Sequence, residues 1–359
     1  MFNLNRYKNK VAIFFVVVLF FWIVYKSYLF TNRADGYILG DWLINYEDGG
    51  FKRRGLSGSF FFFLQDISGL PLQRLVWFFQ VILYSVFFYF VVKIINKIQS
   101  IDLIFLFTPV TFLFWFYNSY AIGRKEILLF VVLILYANDI LSGRKNYLIN
   151  GILLGISVLF HELSFFYIPY FVFIYFFIER RSLSLDLFKL LVFSFISIIC
   201  LYLFSDFEIF RGNTLQLLQK RGVILDDVSL FTQTYKFNIS QASFDFRTWS
   251  YLFVIVLNLL FIYLRYKDKK VFLFVCLCWI PSVFLFMNGS DWGRWIFIHF
   301  LINAMMLILF SLKNKSTLTK YNKIGLCIYL LFSLLYKMEF QEMGLMINPV
   351  FSKIVNIFK

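Results

Sequence analysis

The sequence predicts an all-α, polytopic integral membrane protein with about 11 transmembrane helices. Hydrophobic residues make up 61% of the 359 residues, and charged residues make up only 15%. A soluble domain has about 45–50% apolar and about 25% charged residues, so this chain is expected to have lipid as its solvent. The 52 Phe residues, set against only 5 Pro and 17 Gly, favour helical apolar segments. This composition excludes a soluble enzyme, a secreted disulfide scaffold and a disordered chain, and the solidly apolar runs disfavour an outer-membrane barrel.

Apolar runs recur along the whole chain and are interpreted as membrane spans. The first run has no small-residue cleavage site behind it, so it is expected to be retained as a helix. The predicted spans are 11–30, 75–92, 101–117, 127–141, 147–161, 163–178, 187–204, 250–265, 271–288, 295–312 and 323–337. Several are shorter than the roughly 20 residues that a perpendicular span needs. They are therefore expected to be tilted, extended by flanking aromatic residues, or partly re-entrant.

The placement of Lys and Arg predicts the orientation of this single membrane domain, residues 1–359. With the N-terminus inside, the inside segments hold 18 basic and five acidic residues, so only +2 of the net charge of +15 remains outside. This asymmetry obeys the positive-inside rule and explains the basic balance without a nucleic-acid partner. Two larger loops, 31–74 and 205–249, then lie on the outer face. Within the first of them, segment 51–72 is left open as a span, a re-entrant segment or an interfacial helix.

Signals for metals, cofactors and nucleotides are absent from the sequence. All four cysteines lie in apolar runs, and the only histidines, His161 and His299, are far apart. No metal site and no cofactor are therefore expected. The P-loop, the Rossmann glycine pattern, HExxH and GxSxG are also missing, which disfavours chemistry driven by ATP or by a cytoplasmic sugar nucleotide.

Charged residues concentrate in the first outer loop, between two highly apolar stretches. Several glycines lie in this loop, and three carboxylates and three cations fall within 14 residues of it. The charged residues are Asp41, Glu47, Asp48, Lys52, Arg53 and Arg54. Arginine is suited to bidentate recognition of phosphate, and glycine lets the backbone approach a ligand closely. The alternative is a solvated loop whose charges pair with one another.

Two tight outer turns carry further candidates. Arg124 and Lys125 are adjacent cations on a face that otherwise has few, which favours anion binding over a simple anchoring role. His161 and Glu162 form a hairpin tip between two short arms, where a carboxylate beside an imidazole can transfer protons. The alternative for this second pair is a polar tip that satisfies its own hydrogen bonds.

A third motif joins the ninth and tenth predicted spans. Asp291 and Arg294 are three residues apart and can pair if the following span begins as a helix. The neighbouring Trp292 and Trp295 suit either an interfacial aromatic belt or stacking on a sugar ring. The second large loop, 205–249, is rich in Gln, Asn and Tyr, but no residue in it can be selected.

Taken together, these segments resemble a known family. Gly-Gly-Phe51-Lys-Arg-Arg54-Gly-Leu, Gly-Arg124-Lys-Glu126, His161-Glu162 and Asp291-Trp-Gly-Arg294-Trp resemble O-antigen and capsular polysaccharide polymerases of the Wzy type. These are polytopic glycosyltransferases similar in architecture to the GT-C class. The resemblance covers most of the chain as architecture but only short segments as motif.

The resemblance implies transfer of a growing glycan from undecaprenyl diphosphate to an incoming lipid-linked repeat unit. Arginines would hold the departing diphosphate, and a carboxylate would accept the proton of the attacking hydroxyl. The implied diphosphate-binding residues are Arg53, Arg54, Arg124, Lys125 and Arg294. The implied catalytic residues are Asp41, Asp48, Glu162 and Asp291, the last of which would orient Arg294. The implied glycan-binding residues are His161, Trp292 and Trp295.

The resemblance also implies a location and partners. The expected site is the bacterial inner membrane, with a cytoplasmic N-terminus and a periplasmic active site. The expected partners are the bilayer, the undecaprenyl-diphosphate-linked glycan and, as an open option, a chain-length regulator. Another GT-C-type enzyme that uses a polyprenyl-phosphate-linked sugar is the alternative. A lipid-linked oligosaccharide flippase is less favoured, because the charges are expected at one face rather than at mid-membrane depth.

Overall fold

Helices make up almost all of the regular structure in the computed structural model of the protein. It describes residues 4–48, 50–98, 103, 106–108, 110–179, 181–205, 213–228, 252–256, 259–260, 263, 269–288, 291–314, 336–338 and 345–347. The helices are α1 (Leu4–Asn32), α2 (Leu39–Trp42), α3 (Gly55–Ser68), α4 (Leu72–Ile95), α5 (Phe114–Tyr117), α6 (Glu126–Ser142), α7 (Tyr147–Phe160), α8 (Ile168–Phe173), α9 (Leu185–Phe204), α10 (Thr214–Lys220), α11 (Lys269–Asn288) and α12 (Trp292–Asn314). Short 3-10 helices lie at Ser119–Ala121 and Glu162–Tyr167, and a π-helical turn lies at Ile174–Ile178. Two short antiparallel strands, β1 (Tyr336–Met338) and β2 (Leu345–Ile347), complete the set.

Five of the helices in the described residues are long and apolar enough to cross a membrane. They are Asn9–Asn32, Leu72–Ile95, Leu185–Phe204, Lys269–Met287 and Trp292–Lys313. Each coincides with a span predicted from the sequence, which supports a multi-pass membrane protein. Three more predicted spans are helical but shorter: α6, α7 and the combined segment Glu162–Ile178. The expected total of about 11 spans is not shown, and half of 250–265 and most of 323–337 lie outside the described residues.

The two faces of α1 show what surrounds the bundle. Val16, Leu19 and Ile23 are buried against the rest of the protein. Phe14 and Phe21, on the other face, are each more than 60% exposed. A contiguous apolar surface of this kind is unfavourable in water and is typical of contact with lipid. The helix therefore has one face toward the protein and one toward the bilayer.

Contacts between the long helices define the direction in which each one runs. Asn9 Nδ2 donates to the carbonyl of Ile95 at 3.2 Å, and Trp77 Nε1 donates to the carbonyl of Val24 at 3.3 Å, so α1 and α4 are antiparallel. The amide of Gln80 in α4 donates to the carbonyl of Gly123, just before α6, at 3.0 Å, and the rings of Phe87 and Phe130 lie 6.2 Å apart, so α4 and α6 run in the same direction. The start of α4, the start of α6 and the end of α1 therefore belong to the same half of the bundle.

Two glycines allow α7 to pack directly against the backbone of α9. A Cβ at Gly151 would lie 2.2 Å from the carbonyl oxygen of Lys189, and one at Gly155 would lie 2.8 Å from Cβ of Phe193. Both contacts move four residues toward the C-terminus, from Gly151 to Gly155 in α7 and from Lys189 to Phe193 in α9, so the two helices are parallel. The segment Glu162–Ile178 between them therefore runs back across the bundle.

The opposite end of the bundle has its own polar contacts. The hydroxyls of Tyr136 and Tyr147 donate to Glu179 at 2.9 and 3.1 Å. Arg144, at the tip between α6 and α7, pairs with Asp139 at 3.7 Å and has a side chain that is 55% exposed. These contacts bring together the end of α6, the start of α7 and the end of Glu162–Ile178.

The loop predicted at 31–74 folds back into the bundle and does not cross it. Because α1 and α4 are antiparallel neighbours, segment 33–71 enters and leaves at the same end. Within it, α3 is only about 21 Å long at 1.5 Å per residue, short of the roughly 30 Å hydrocarbon core. The described part of loop 205–249 lies against this segment, where Arg221 contacts Asp66 at 2.8 Å and Glu47 at 2.9 Å.

The predicted span 101–117 differs most from the structure. Its described residues contain turns and the single-turn helix α5, and no helix of membrane-crossing length. Thr111 Oγ1 donates to the carbonyl of Leu106 at 2.9 Å and also contacts Thr108, so local side-chain bonds replace helical ones. Of the last predicted span, 323–337, only residues 336 and 337 are described, and they belong to β1.

Candidate functional site

A turn at Gly123 places three charged residues, 124–126, at the start of α6. Gly123 has a φ of +80°, and a Cβ there would lie 2.9 Å from Cγ2 of Ile38, so glycine is required on both counts. Its carbonyl accepts hydrogen bonds from the amide of Gln80 at 3.0 Å and from the indole of Trp42. The turn is thus held from α4 and α2, which fixes the direction of the three side chains that follow.

Arg54 immediately precedes α3 and joins two carboxylates. Its Nε and Nη2 donate to Glu162 at 3.0 and 2.7 Å, and its Nη1 donates to Asp41 at 3.1 Å. The backbone of Arg54 has a φ of +67°, a left-handed conformation that is unfavourable for a residue with a side chain. The charge-assisted bonds therefore offset local strain, as is common at functional sites.

Close packing of α3 against the chain after α2 brings Arg54 and Asp41 together. The N–H of Gly58 donates to the carbonyl of Ile44 at 2.8 Å. A Cβ at Gly58 would lie 2.3 Å from that carbonyl oxygen, so only glycine allows this approach. The glycines noted in the first loop thus serve backbone packing at this position.

Asp41 lies between two cations and is 2% exposed. In addition to Arg54, its Oδ1 is 3.8 Å from Nζ of the fully buried Lys125. Burial raises the pKa of Asp41, but the charges of Lys125 and Arg54 outweigh it and hold the pKa below its usual range. Burial lowers the pKa of Lys125 to about 8, although the charge of Asp41 offsets part of the shift. Asp41 is therefore a stable anion and a weak proton acceptor.

A second group of contacts surrounds Glu126. Its Oε1 lies 3.4 Å from Nε of Arg294 and 3.7 Å from Nε2 of His161. Arg294 also pairs with Asp291 at 2.9 Å through Nη2, as their spacing at the start of α12 predicts. The ring Nδ1 of His161 accepts the N–H of Leu163 at 3.2 Å, so the proton of the neutral imidazole is on Nε2 and faces Glu126.

These residues form one connected set, which we name the charge cluster. It consists of Asp41, Arg53, Arg54, Arg124, Lys125, Glu126, His161, Glu162, Asp291 and Arg294. Five cations face four carboxylates, so the formal charge is +1 when the imidazole is neutral. The carboxylates of Asp291 and Glu162 are the most exposed, at 26% and 15% of the side chain. The cluster therefore combines a buried centre with a partly exposed rim, and its net charge favours an anion.

Two arginines of the cluster share a small cavity with a carboxylate. Arg124, Glu126 and Arg294 line a space of about 10 Å³, room for one water molecule. Arg124 donates to the backbone carbonyls of Tyr37 at 3.1 Å and Tyr120 at 3.3 Å, which fixes its guanidinium group. Burial and the nearby charge of Arg294 lower the pKa of Arg124, but a guanidinium group remains protonated. An anion in this cavity would relieve the repulsion between the two arginines.

The charge cluster lies well below the end of the long helices. Gln80, which holds the Gly123 turn, is eight residues into α4, or about 12 Å along its axis. Helices α6 and α12 both begin at this level, and α7 ends there. Charges at this depth in a membrane are costly and are functional candidates by default.

Asp48, a predicted catalytic residue, lies outside the charge cluster as defined by these contacts. Its carboxylate is engaged by the ammonium group of Lys52 and by the hydroxyl of Thr214, and both the carboxylate and the ammonium group are buried. This arrangement connects the first loop to α10. A catalytic role for Asp48 stays a prediction that these contacts do not explain.

The two predicted sugar-binding tryptophans are packed inside the bundle. Trp292 and Trp295 are each 6% exposed, and their rings lie 5.0 and 5.6 Å from the ring of Phe286. The Trp295 carbonyl also accepts a hydrogen bond from Tyr167 at 3.2 Å. Stacking of a sugar on either ring would require repacking, so glycan binding by these residues stays a prediction.

No family model, curated protein or solved structure matches this chain. The interpretation of the site therefore rests on its own chemistry. In the parts of the chain that the structure describes, no group of three or more His, Cys, Asp or Glu side chains is placed to hold a metal ion. Metal independence stays a prediction.

Sequence reasoning placed Glu126 in a motif but did not select it as a catalytic candidate. The structure shows it between Arg294 and His161, with the cavity beside it. The available signal was its position directly after Arg124 and Lys125 at the outer end of an apolar run. Gln80 was also missed, because a single amide within an apolar run gives no sign of the turn that it supports.

Proposed function

We propose that this protein is a polytopic glycosyltransferase whose donor is a sugar or glycan linked to a polyprenyl phosphate. Within that class we propose the polymerisation of undecaprenyl-diphosphate-linked repeat units into O-antigen or capsular polysaccharide. The observation that carries the proposal is the cavity that Arg124 and Arg294 share with Glu126. Two arginines beside a carboxylate supply both an anion site and a proton acceptor, the two elements that such a transfer needs.

In this reaction the arginines act on the leaving group. Negative charge grows on the diphosphate as its bond to the anomeric carbon breaks, and Arg124 and Arg294 would stabilise it. A diphosphate is larger than the present cavity, so its binding requires the two guanidinium groups to move apart. Their mutual repulsion in the free protein, which the bound anion relieves, keeps the cost of that movement low.

The remaining cations position the site. Arg54 holds Glu162 and Asp41, and Lys125 faces Asp41 from the other side. Since the pKa of Asp41 is held low, this carboxylate is better suited to fixing Arg54 and Lys125 than to accepting a proton. Arg53, whose Nε is 3.4 Å from Glu162, lies at the more exposed rim where a larger glycan would arrive.

The proposed setting is a bacterial inner membrane, with the N-terminus in the cytoplasm and the charge cluster toward the periplasm. The positive-inside distribution of Lys and Arg supports this orientation. The proposed topology keeps about 11 crossings, some of which are short or irregular. The proposed partners are the bilayer, the lipid-linked glycan and a chain-length regulator.

A second candidate function is the flipping of a lipid-linked oligosaccharide. The observation that favours it is the depth of the charge cluster, about 12 Å below the start of α4. A flippase needs charged groups within the membrane, where the diphosphate passes. The two candidates differ in whether covalent transfer occurs, so the glycan products separate them.

The decisive experiment is a surface-polysaccharide gel from a strain that lacks this gene. Complementation uses the wild type, Arg294→Ala and, as a matched control, Arg144→Ala, which changes an exposed arginine at the opposite end. We expect wild type and Arg144→Ala to restore a ladder, and Arg294→Ala to leave one repeat unit on the core. A full-length ladder in the deletion strain would refute the polymerase proposal, and a full-length ladder with Arg294→Ala alone would refute the role of the arginine pair. Loss of all attached glycan in the deletion strain would favour the flippase.

Single-sugar transfer is tested on the same material. If the protein adds one sugar or a branch, the deletion strain should still produce a ladder. The bands of that ladder would be more closely spaced, because each repeat unit lacks one sugar residue or the branch. Mass spectrometry of the released glycan distinguishes this result from a loss of polymerisation.

A further inference from the structure

Glu126 is a buried carboxylate whose oxygens accept no hydrogen bond among the described residues. The residue is 6% exposed, and neither Oε1 nor Oε2 accepts a hydrogen bond from the described part of the chain. Nε of Arg294 lies 3.4 Å from Oε1 as an ion pair without the alignment of a hydrogen bond, and Nε2 of His161 lies 3.7 Å away. Buried polar groups are nearly always hydrogen-bonded, so the Glu126 carboxylate is expected to accept a hydrogen bond from a ligand or a water molecule.

The other carboxylates of the cluster are already engaged. Glu162 accepts hydrogen bonds from Nε and Nη2 of Arg54, and Asp41 accepts one from its Nη1. Asp291 pairs with Arg294 at 2.9 Å. Each of these carboxylates would have to break a charge-assisted bond before it accepted a proton from a substrate. Glu126 would not.

The position of Glu126 also meets the geometric requirement for a proton acceptor. It lines the cavity beside Arg124 and Arg294, where an incoming hydroxyl group can be placed. A catalytic base must lie within hydrogen-bond reach of the proton that it removes, and such contacts are often longer in the absence of substrate. Nε2 of His161 faces the same carboxylate at 3.7 Å.

We infer that Glu126 is the general base of the proposed transfer reaction, an inference that rests on the proposed function. The acceptor hydroxyl oxygen attacks the anomeric carbon of the lipid-linked donor, and a carbon–oxygen bond forms. The bond from that carbon to the diphosphate breaks, and its electron pair leaves on the diphosphate oxygen beside Arg124 and Arg294. The hydroxyl proton passes to Glu126, which afterwards returns it to water.

The test separates donor binding from transfer by two substitutions in the full-length protein. Glu126→Gln removes the base and one negative charge beside the arginines. We expect it to bind undecaprenyl diphosphate more tightly, on the order of tenfold, because a repulsive charge is gone. We expect its rate of chain extension on lipid-linked repeat units, extracted from the deletion strain, to fall at least about a hundredfold. Glu126→Asp keeps the charge but withdraws the carboxylate, so its binding should match wild type while its transfer slows.

The outcomes distinguish failure of the general-base role of Glu126 from failure of the proposed function. Glu126→Gln that extends chains at the wild-type rate would overturn the role of Glu126, even if arginine variants are inactive and the proposed function holds. If Glu126→Gln does not remain monodisperse in detergent, Glu126→Asp decides, and wild-type transfer by that variant overturns the role. Wild-type protein that neither binds undecaprenyl diphosphate nor extends chains contradicts the proposed function itself.

Discussion

Substitution of Arg54 gives the most quantitative test of the charge cluster. Arg54→Ala removes the bonds to Glu162 and Asp41 and leaves two largely buried carboxylates with fewer partners. Breaking a buried ion pair by removing one partner costs about 3–5 kcal/mol. Since both side chains at the stronger contact keep some exposure, 14% and 15%, we expect the low end, about 3 kcal/mol.

The backbone of Arg54 refines this prediction. A φ of +67° costs a residue with a side chain about 1 kcal/mol, and glycine avoids that cost. Arg54→Gly loses the same guanidinium group as Arg54→Ala, so the two variants differ only in the strain. We expect the glycine variant to be more stable than the alanine variant by about 1 kcal/mol.

The assay is equilibrium unfolding of the purified protein by SDS in mixed micelles. A double-mutant cycle of Arg54→Ala with Glu162→Gln should give a coupling energy of about 2 kcal/mol or more. Arg144→Ala, on an exposed side chain, should change the free energy of unfolding by less than about 0.5 kcal/mol. Additive effects within about 0.5 kcal/mol in the cycle would show that the Arg54–Glu162 contact does not form. If Arg54→Ala were as stable as Arg54→Gly, the backbone strain inferred at residue 54 would be refuted.

Three further predictions address the turn, the pH dependence and the topology. Gly123→Ala should destabilise the protein more than Gly143→Ala in the same SDS unfolding assay. Both glycines have a positive φ, but only Gly143 has open space for a Cβ, so equal effects would contradict the close contact of Gly123 with Ile38. Diphosphate binding, measured by calorimetry, should weaken as the pH rises through about 8, because Lys125 loses its proton and its charge there. Lys125→Arg should remove this decrease in affinity, and a decrease that persists in the variant would assign it to another group. In a background without native cysteines, Asp66→Cys and Arg144→Cys should react with an impermeant thiol reagent from opposite sides of the membrane, and labelling from one side would refute the arrangement of the bundle.

The long helices could be predicted from the sequence because an apolar run of about 20 residues has the length of a membrane-spanning helix. The failure at 101–117 has a physical cause. Hydropathy reports burial, and the described part of this segment is buried as turns packed around Trp115, whose ring lies 6.1 Å from that of Tyr84. Thr108 and Thr111 bond to each other and to the local backbone, which competes with a helix. An apolar run alone could not show this.

The candidate site was predictable as a set of residue types but not as a set of contacts. Arginines and acids at outer turns can be read from the sequence, and the structure brings most of them into one cluster. Their partners cannot be read in this way, because Arg54 and Glu162 are 108 residues apart. Asp48 illustrates the limit, since its partner Lys52 is four residues away and only the fold shows that this pair lies apart from Arg54.

The depth of the charge cluster has an electrical consequence. If the hydrocarbon core of about 30 Å is placed with its boundary at the start of α4, an anion that reaches the cluster moves about 12 Å through the transmembrane voltage, which is worth about 2.3 kcal/mol per charge per 100 mV over the full thickness. About two-fifths of that work then applies to each negative charge of a bound headgroup. With the proposed orientation, an energised membrane opposes entry from the outer side, and occupancy of the site would rise when the voltage collapses.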